Sequence, residues 1–261
     1  MSSELFKYDS VEVCYGEKAI VEEISFTLKP GEILGIAGES GSGKSTIIKA
    51  ALGILGPSGK VTKGDIRFQG KNLPDLTERE MQKIRGAKIG MIFQDAGSSF
   101  CPVRTIGDQI YETLAAHETI QRREAEERAL ELLGKLGFKD GRRILESYSF
   151  ELSGGMNQRI GIVLAMLLNP SVILADEPTS ALDVSVQKQA VEEMLLLREL
   201  YGTAMVLVTH NIGVISAMAD AVLVLKEGRI VEYGAAKQVL NAPREAYTKE
   251  LMDAVPKLRR S

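Results

Sequence analysis

Residues 33–46 read ILGIAGESGSGKST, a stretch that joins an apolar run to a glycine-rich loop and the start of a helix. The nearly continuous apolar run Ile33–Ala37 is typical of a parallel strand that is buried on both faces. The glycines that follow let the backbone curl until successive N–H groups converge, as phosphate-binding loops require. A Lys–Ser pair at 44 and 45 stands just inside the helix, in register with that loop pattern. The stretch therefore predicts an α/β fold with a nucleotide site at the end of this strand.

Each part of the loop has an expected role in binding a nucleoside triphosphate. Lys44 would neutralise the β- and γ-phosphates, and the Ser45 hydroxyl would be a ligand of Mg²⁺. A glycine- and serine-rich connection is often only a turn, but the strand–loop–helix context favours phosphate binding. The residues expected to contact the nucleotide here are Gly38, Ser40, Gly41, Ser42, Gly43, Lys44, Ser45 and Thr46.

The rest of the chain continues the α/β pattern. Apolar residues alternate with polar ones around residues 11–15 and 24–28, which predicts half-buried antiparallel strands. Short apolar runs at 172–175 and 205–208 suit further buried strands. A hairpin is expected at 221–225 and 229–233, an apolar helix at 160–168, and amphipathic helices at 45–55, 186–200 and 212–219.

The middle of the chain differs from both ends because it is helical and charged. Between residues 122 and 136, apolar side chains recur along one helical stripe. The pattern predicts a P-loop core with a mainly parallel sheet, an N-terminal antiparallel β-subdomain and an inserted α-helical subdomain. The expected boundaries are 1–95 and 152–234 for the core, 96–151 for the helical subdomain and 235–261 for a C-terminal helical tail.

Composition narrows the possible classes of function. The net charge is −3 over 261 residues, which argues against a dedicated nucleic-acid surface. The two cysteines, Cys14 and Cys101, are too few for a disulfide framework or a metal cluster, so a reducing cytosol is the simpler expectation. No apolar run approaches the ~20 residues of a membrane helix.

Polar residues follow the predicted buried strands. Asp176 and Glu177 come directly after the run 172–175, where Asp176 would hold Mg²⁺ and Glu177 would orient or deprotonate the attacking water. Gln94 follows an apolar run and could reach Mg²⁺ and this water, and His210 could contact the γ-phosphate. Adjacent carboxylates are also common as solvated loop charges, and a lone histidine is usually structural. The second histidine, His117, is assigned no role.

The stretch 152–159, LSGGMNQR, opens a helix with a serine and two glycines. Free N–H groups at a helix N-terminus attract anions, because the helix dipole is positive there. Helix capping alone is the alternative explanation. Nearer the N-terminus, Tyr15 could stack on adenine, although a core or hairpin position explains a tyrosine nearly as well.

Together, these residues resemble an ATP-binding cassette (ABC) ATPase over essentially the whole chain. The resemblance implies that two such domains pair head to tail, with ATP between the phosphate loop of one and the 152–158 signature of the other. Ser153, Gly154 and Gly155 would then act on the partner's nucleotide, and Asp183 would couple the two sites. ATP would close the dimer, and hydrolysis would reopen it and drive membrane-spanning partners.

Several stretches resemble the ATPases of peptide and nickel importers: 91–95, 102–110, 152–159, 181–187 and 247–251. Met156, at the fifth signature position, is common in that group, whereas Cys101 replaces a frequent asparagine. The resemblance implies a peripheral location on the cytoplasmic side of the inner membrane, two permease subunits, a second ATPase chain that is identical or homologous, and indirectly an extracytoplasmic binding protein. The cargo stays open among oligopeptide, dipeptide, nickel and metal chelate.

Two other interpretations compete with a transporter subunit. A soluble ABC machine for DNA repair or translation is disfavoured, because the sequence shows one cassette without sustained heptads or a basic arm. A degenerate cassette that binds ATP without hydrolysing it is disfavoured by the presence of Glu177 and His210.

Overall fold

The computed structural model describes residues 4–180 and 182–253, which divide into two compact units. The first unit contains the chain up to Met81 and from Ala204 onward, and the second contains Gln82–Thr203. Residues 1–3 of the expected core, Ala181, and residues 254–261 of the expected tail lie outside the described residues. The domain boundaries expected from the sequence remain predictions.

The strands and helices are numbered in chain order. The strands are β1 (Phe6–Tyr15), β2 (Lys18–Leu28), β3 (Ile33–Ala37), β4 (Gly59–Phe68), β5 (Lys71–Asn72), β6 (Ile89–Ile92), β7 (Val172–Asp176), β8 (Ala204–Val208), β9 (Ala221–Lys226) and β10 (Arg229–Ala235). The helices are α1 (Lys44–Ala51), α2 (Glu78–Gln82), α3 (Ala96–Ser99), α4 (Ile106–Ala115), α5 (Arg122–Lys135), α6 (Gly141–Glu146), α7 (Gly154–Met166), α8 (Val184–Tyr201), α9 (Ile212–Met218), α10 (Ala236–Asn241) and α11 (Ala246–Asp253).

An antiparallel sheet in the first unit supports the start of α1. Its strand order is β2-β1-β4-β5, which confirms the antiparallel strands expected near the N-terminus. Tyr8 stacks on Phe26 with ring centroids 4.5 Å apart, and its hydroxyl donates to the Ile47 carbonyl of α1 at 2.6 Å. Burial of the phenol raises the pKa of Tyr8.

A second sheet in the same unit is built around β3. This strand pairs in parallel with β8 and with β9, and β9 pairs antiparallel with β10, as the expected hairpin requires. Both β3 and β8 are buried along their whole length, which confirms the prediction from their apolar runs. A Cβ at Gly35 would lie 2.9 Å from Ile215 Cγ2, so glycine lets α9 pack directly against β3.

The second unit contains the parallel pair β6 and β7 together with α3 to α8. Helices α3 to α6 fall within the segment 96–151, where the sequence predicts helices. The largest difference from an expected helix boundary is at the end of α1. Helix α1 ends at Ala51 rather than residue 55, because Gly53 turns the chain into the left-handed region with φ of 62°. Helix α7 begins at Gly154, within the serine- and glycine-containing stretch that the sequence places at the start of a helix.

Candidate active site

The glycine-rich loop between β3 and α1 has the conformation that its sequence predicts. Gly38, Gly41 and Gly43 have φ angles of 155°, 82° and 103°, which disfavour residues with a Cβ. A Cβ at Gly38 would lie 2.3 Å from the Leu225 carbonyl oxygen, and one at Gly43 would lie 2.4 Å from Val21 Cγ1. The loop therefore depends on glycine for its backbone angles and for close packing on β2 and β9.

Alanine substitutions at Gly41 and Gly43 can distinguish the cost of backbone strain from the cost of steric overlap. Both have positive φ, but a Cβ at Gly41 meets nothing within 4 Å. Gly43→Ala is expected to lower the free energy of unfolding by about 1–3 kcal/mol more than Gly41→Ala, because it adds an overlap with Val21 to a similar strain. Chemical denaturation of both variants measures the difference. Equal losses would show that the Val21 contact relaxes without cost.

Polar groups of the loop fit a bound polyphosphate. Lys44 is only 6% exposed, and its Nζ donates to the carbonyl oxygens of Gly38 at 2.8 Å and Glu39 at 2.7 Å. Within the described residues, the buried Ser42 Oγ has no hydrogen-bond partner. A phosphate oxygen at the loop would give this hydroxyl an acceptor, so Ser42 fits a bound polyphosphate. Ser45 and Thr46 lie half-buried in the first turn of α1.

Parallel pairing in the first unit brings His210 to the same sheet edge as the loop. Ile36 of β3 lies opposite Val208 of β8, and both strands end within two residues of that pair. His210 follows two residues after Val208 and is exposed to solvent. The carboxyl ends of adjacent parallel strands are where α/β proteins bind ligands.

Tyr15 lies at the end of β1 in the antiparallel sheet of the first unit. Its ring is half-buried, and a Cβ at the paired Gly59 would approach ring atom Cε1 to 3.0 Å. Both expectations for this residue, stacking on adenine and a place in a hairpin, remain compatible with that position. Its adenine contact stays a prediction.

In the second unit, the acidic pair lies at the end of β7. Asp176 is 5% exposed and Glu177 is 9% exposed, so these carboxylates are not the solvated loop charges of the alternative interpretation. Glu177 has φ of 47°, an uncommon backbone conformation for a residue with a Cβ. Strain of this kind concentrates at functional sites, where the surrounding structure enforces it.

Parallel pairing in the second unit also brings Gln94 to the edge that carries the acidic pair. Ile92 of β6 lies opposite Ala175 of β7, directly before Asp176. Gln94 follows two residues after Ile92, at a bend before α3, and is exposed. The structure thus groups Gln94 with Asp176 and Glu177 in one unit, and groups the loop, Lys44, Tyr15 and His210 in the other.

The signature stretch begins α7 with both of the features that its sequence suggests. Ser153 is the N-cap, since its Oγ accepts from the Met156 N–H at 3.2 Å. Ser153 and Gly154 are exposed, and a Cβ at Gly154 would meet nothing within 4 Å. A Cβ at Gly155 would lie 2.7 Å from Val186 Cγ1, so this glycine lets α7 approach α8. Capping therefore leaves the first turn of α7 accessible to an anion.

Asp183 caps the next helix, α8. Its Oδ1 accepts from the N–H groups of Ser185 and Val186, each at 3.0 Å, and from the Ser185 hydroxyl at 2.7 Å. The hydrogen bonds from the Ser185 hydroxyl and the Val186 N–H hold the pKa of the Asp183 carboxyl below its usual range. Within this chain, the side chain thus stabilises the start of α8.

The sequence interpretation missed a buried ion pair that anchors the signature helix. The Arg159 guanidinium pairs with Glu193 of α8, lies 3.9 Å from the centroid of the Phe138 ring and donates to the Leu136 carbonyl at 2.9 Å. Burial raises the pKa of the Glu193 carboxyl, and Arg159 opposes that shift. An arginine within an apolar helix is the signal that could have indicated a buried partner.

Comparisons with known proteins place this site in a family. A family model described as "ABC transporter" matches residues 21–180, more than half of the chain. The chain belongs to the ABC transporter family. Its expected ATPase activity and its resemblance to the peptide-importer ATPases are both confirmed by the relatives.

Two relatives of this ABC transporter ATPase are described as peptide transport proteins. The probable peptide ABC transporter ATP-binding protein y4tR of Sinorhizobium fredii is 41% identical over 250 residues, covering 94% of this chain and 75% of the relative. The oligopeptide transport ATP-binding protein OppD of Bacillus subtilis is 42% identical over 247 residues, covering 94% and 69%.

A solved ABC cassette confirms the expected ABC ATPase fold. The ATP-binding cassette MJ0796, solved as a dimer in a post-hydrolysis state with ADP and phosphate, matches with a TM-score of 0.77 and 30% identity. The match covers 88% of this chain and 98% of the cassette. Among residues 4–180 and 182–253, the structure contains no helix that meets the length and apolarity of a membrane span.

Proposed function

We propose that this ABC transporter ATPase hydrolyses Mg²⁺-bound ATP to drive the import of peptides through membrane-spanning partner subunits. The observation that carries the chemistry is the buried carboxylate pair Asp176–Glu177 at the end of a parallel strand. Their burial at the carboxyl end of a parallel strand, the edge where α/β proteins bind ligands, supports a catalytic role.

The predicted site residues have distinct roles in the proposed reaction. Lys44 binds the β- and γ-phosphates, and the loop N–H groups orient them. Glu177 accepts the proton of the attacking water or aligns it, while Gln94 and His210 hold the water and the γ-phosphate in place. Ser45, Gln94 and Asp176 offer the oxygen ligands that Mg²⁺ prefers. The ion, when bound, neutralises charge that develops on the phosphates.

The signature supports a composite site that needs a second chain. Ser153 and Gly154 are exposed at the start of the 13-residue helix α7, a position suited to a γ-phosphate presented from outside the chain. The second chain would pair head to tail, as an identical copy or a homologous ATPase. In that arrangement, Ser153, Gly154 and Gly155 complete the partner's nucleotide site, and Asp183 lies between the two sites.

The relatives favour peptides as the cargo over nickel or metal chelates. Both relatives named above are described as peptide or oligopeptide transport proteins, at 41% and 42% identity. The implied assembly contains two permease subunits on the inner membrane, with this chain on the cytoplasmic side, and receives cargo from an extracytoplasmic binding protein.

Uptake by cells that lack this chain tests the proposal. Uptake of a labelled oligopeptide is expected to fall to background, and to return with the wild-type chain but not with Lys44→Ala. Radioactive nickel, measured in the same cells, is expected to enter at the normal rate. Loss of nickel uptake with normal peptide uptake would assign the cargo to nickel, and normal uptake of both would favour the soluble machine.

A further inference from the structure

One buried side chain of the signature helix binds the segment that carries Gln94. The Gln158 side chain is 4% exposed. Its Nε2 donates to the Phe93 carbonyl at 3.0 Å, and its Oε1 accepts from the Ala96 N–H at 3.2 Å. The primary amide thus bridges the backbone on either side of Gln94 and Asp95, in the way that a peptide group of a neighbouring strand would.

These two bonds hold a short connection between a strand and a helix. Strand β6 ends at Ile92 and α3 begins at Ala96, so residues 93–95 belong to neither element. Gln94 stands at the bend between them, with its side chain exposed. Gln158 therefore anchors the backbone on both sides of Gln94, from 62 and 65 residues away along the chain. The adjacent Asp95 is bonded locally, to Ser98 and Ser99 of α3.

Close packing next to Gln158 reinforces the bridge. A Cβ at Gly161, three residues further along α7, would lie 2.7 Å from Ala96 Cβ. Glycine at this position lets α3 approach α7 closely enough for the amide to reach both partners. The preceding residue, Asn157, donates from Nδ2 to the Ser149 carbonyl at 2.9 Å, in the turn before the signature. The adjacent side-chain amides of Asn157 and Gln158 thus bind the turn before the signature and the Gln94 segment, respectively.

We propose that Gln158 is a positioning residue. It fixes Gln94, the residue proposed to hold the attacking water, relative to the signature helix, so that Gln94 and the signature move together. This inference rests on the proposed ATP hydrolysis and on the proposed role of Gln94. Gln158 touches no nucleotide in this scheme. A change in the Gln94 segment would reach the signature directly through these two hydrogen bonds, without altering the affinity for ATP.

A double-mutant cycle on Gln94 and Gln158 tests the proposal in the assembled importer. Gln158→Leu is expected to lower kcat by about 10- to 100-fold, the scale of misplacing an oriented group, with KM for ATP nearly unchanged. Gln158→Glu keeps the acceptor for the Ala96 N–H but turns a carboxylate oxygen toward the buried Phe93 carbonyl, so its kcat is expected to fall as well. Gln94→Ala with Gln158→Leu is expected to be no slower than Gln94→Ala alone.

A matched variant separates positioning from loss of stability. Thr203→Val removes another buried hydrogen bond of the same unit, from Thr203 Oγ1 to the Pro170 carbonyl at 3.0 Å, away from Gln94. It is expected to lower thermal stability about as much as Gln158→Leu while leaving kcat unchanged. The proposal is overturned by a normal kcat for Gln158→Leu, or by losses that multiply in the double mutant. A normal kcat for Gln94→Ala also overturns it. The proposed ATP hydrolysis is tested independently, by the turnover of Glu177→Gln.

Discussion

Glu177→Gln is expected to lower ATP turnover by at least about 100-fold, the scale of removing a general base, while ATP binding persists. Glutamine keeps the shape of the side chain but cannot accept a proton from water. With binding intact and hydrolysis blocked, the ATP-closed dimer should accumulate. Steady-state phosphate release measures the first effect, and gel filtration with ATP and Mg²⁺ measures the second.

The control for this variant has the same substitution and the same backbone conformation. Glu23 lies on β2 with φ of 57°, and its side chain is 82% exposed. Glu23→Gln should hydrolyse ATP at the wild-type rate, so a loss specific to Glu177 cannot come from strain at a left-handed residue. Wild-type turnover by Glu177→Gln would show that Glu177 is not the general base.

Ser153→Arg is expected to lower hydrolysis by about 100-fold in the assembled pair, the scale of losing an electrostatic contact to the transition state. Because Ser153 is exposed, the bulky side chain fits the isolated chain, and ATP binding to that chain should change little. Calorimetry measures binding by the single chain, and phosphate release measures turnover by the assembly. Normal turnover would contradict the assignment of Ser153 to the partner's nucleotide.

Two controls identify the cause of that loss. In the isolated chain, Ser153→Ala removes the N-cap bond to Met156, which should lower the stability by about 1 kcal/mol. In the assembled pair it also removes the hydroxyl without adding bulk, so its turnover should lie between those of the wild type and Ser153→Arg. Mixing Ser153→Arg chains with Lys44→Ala chains should restore turnover, because a head-to-tail pair then contains one intact site. No recovery in a mixed dimer of copies of this chain would place the phosphate loop and signature of each site in the same chain.

Local pattern predicted much of the fold, because burial on two faces leaves a continuous apolar run. Strands β3 and β8 were predictable for that reason, and the loop conformation followed from its glycines. The sheet order was not predictable, since β3 pairs with β8 and β9, strands more than 150 residues away along the chain. The early end of α1 depends on the left-handed Gly53, and no periodicity signal marks it.

The candidate site was predictable where its chemistry lies in consecutive residues. Asp176 and Glu177 stand at a strand end, and their burial supports the interpretation made from that position. The bonds of Gln158 to the Gln94 segment and the pair Arg159–Glu193 were not predictable, because each joins residues at least 34 positions apart. The positive φ of Glu177 was not predictable either, because no sequence pattern marks it.

The cap at Asp183 has a consequence for how the two composite sites communicate. Its Oδ1 accepts all three hydrogen bonds from Ser185 and Val186, so the cap fixes the orientation of the second carboxylate oxygen, Oδ2, which takes none of them. Loss of such an N-cap costs about 0.5–2 kcal/mol, and a contact across a dimer that is made through Oδ2 keeps this stabilisation. The partner chain would then meet a carboxylate that is already oriented, and the contact would join it directly to the first turn of α8.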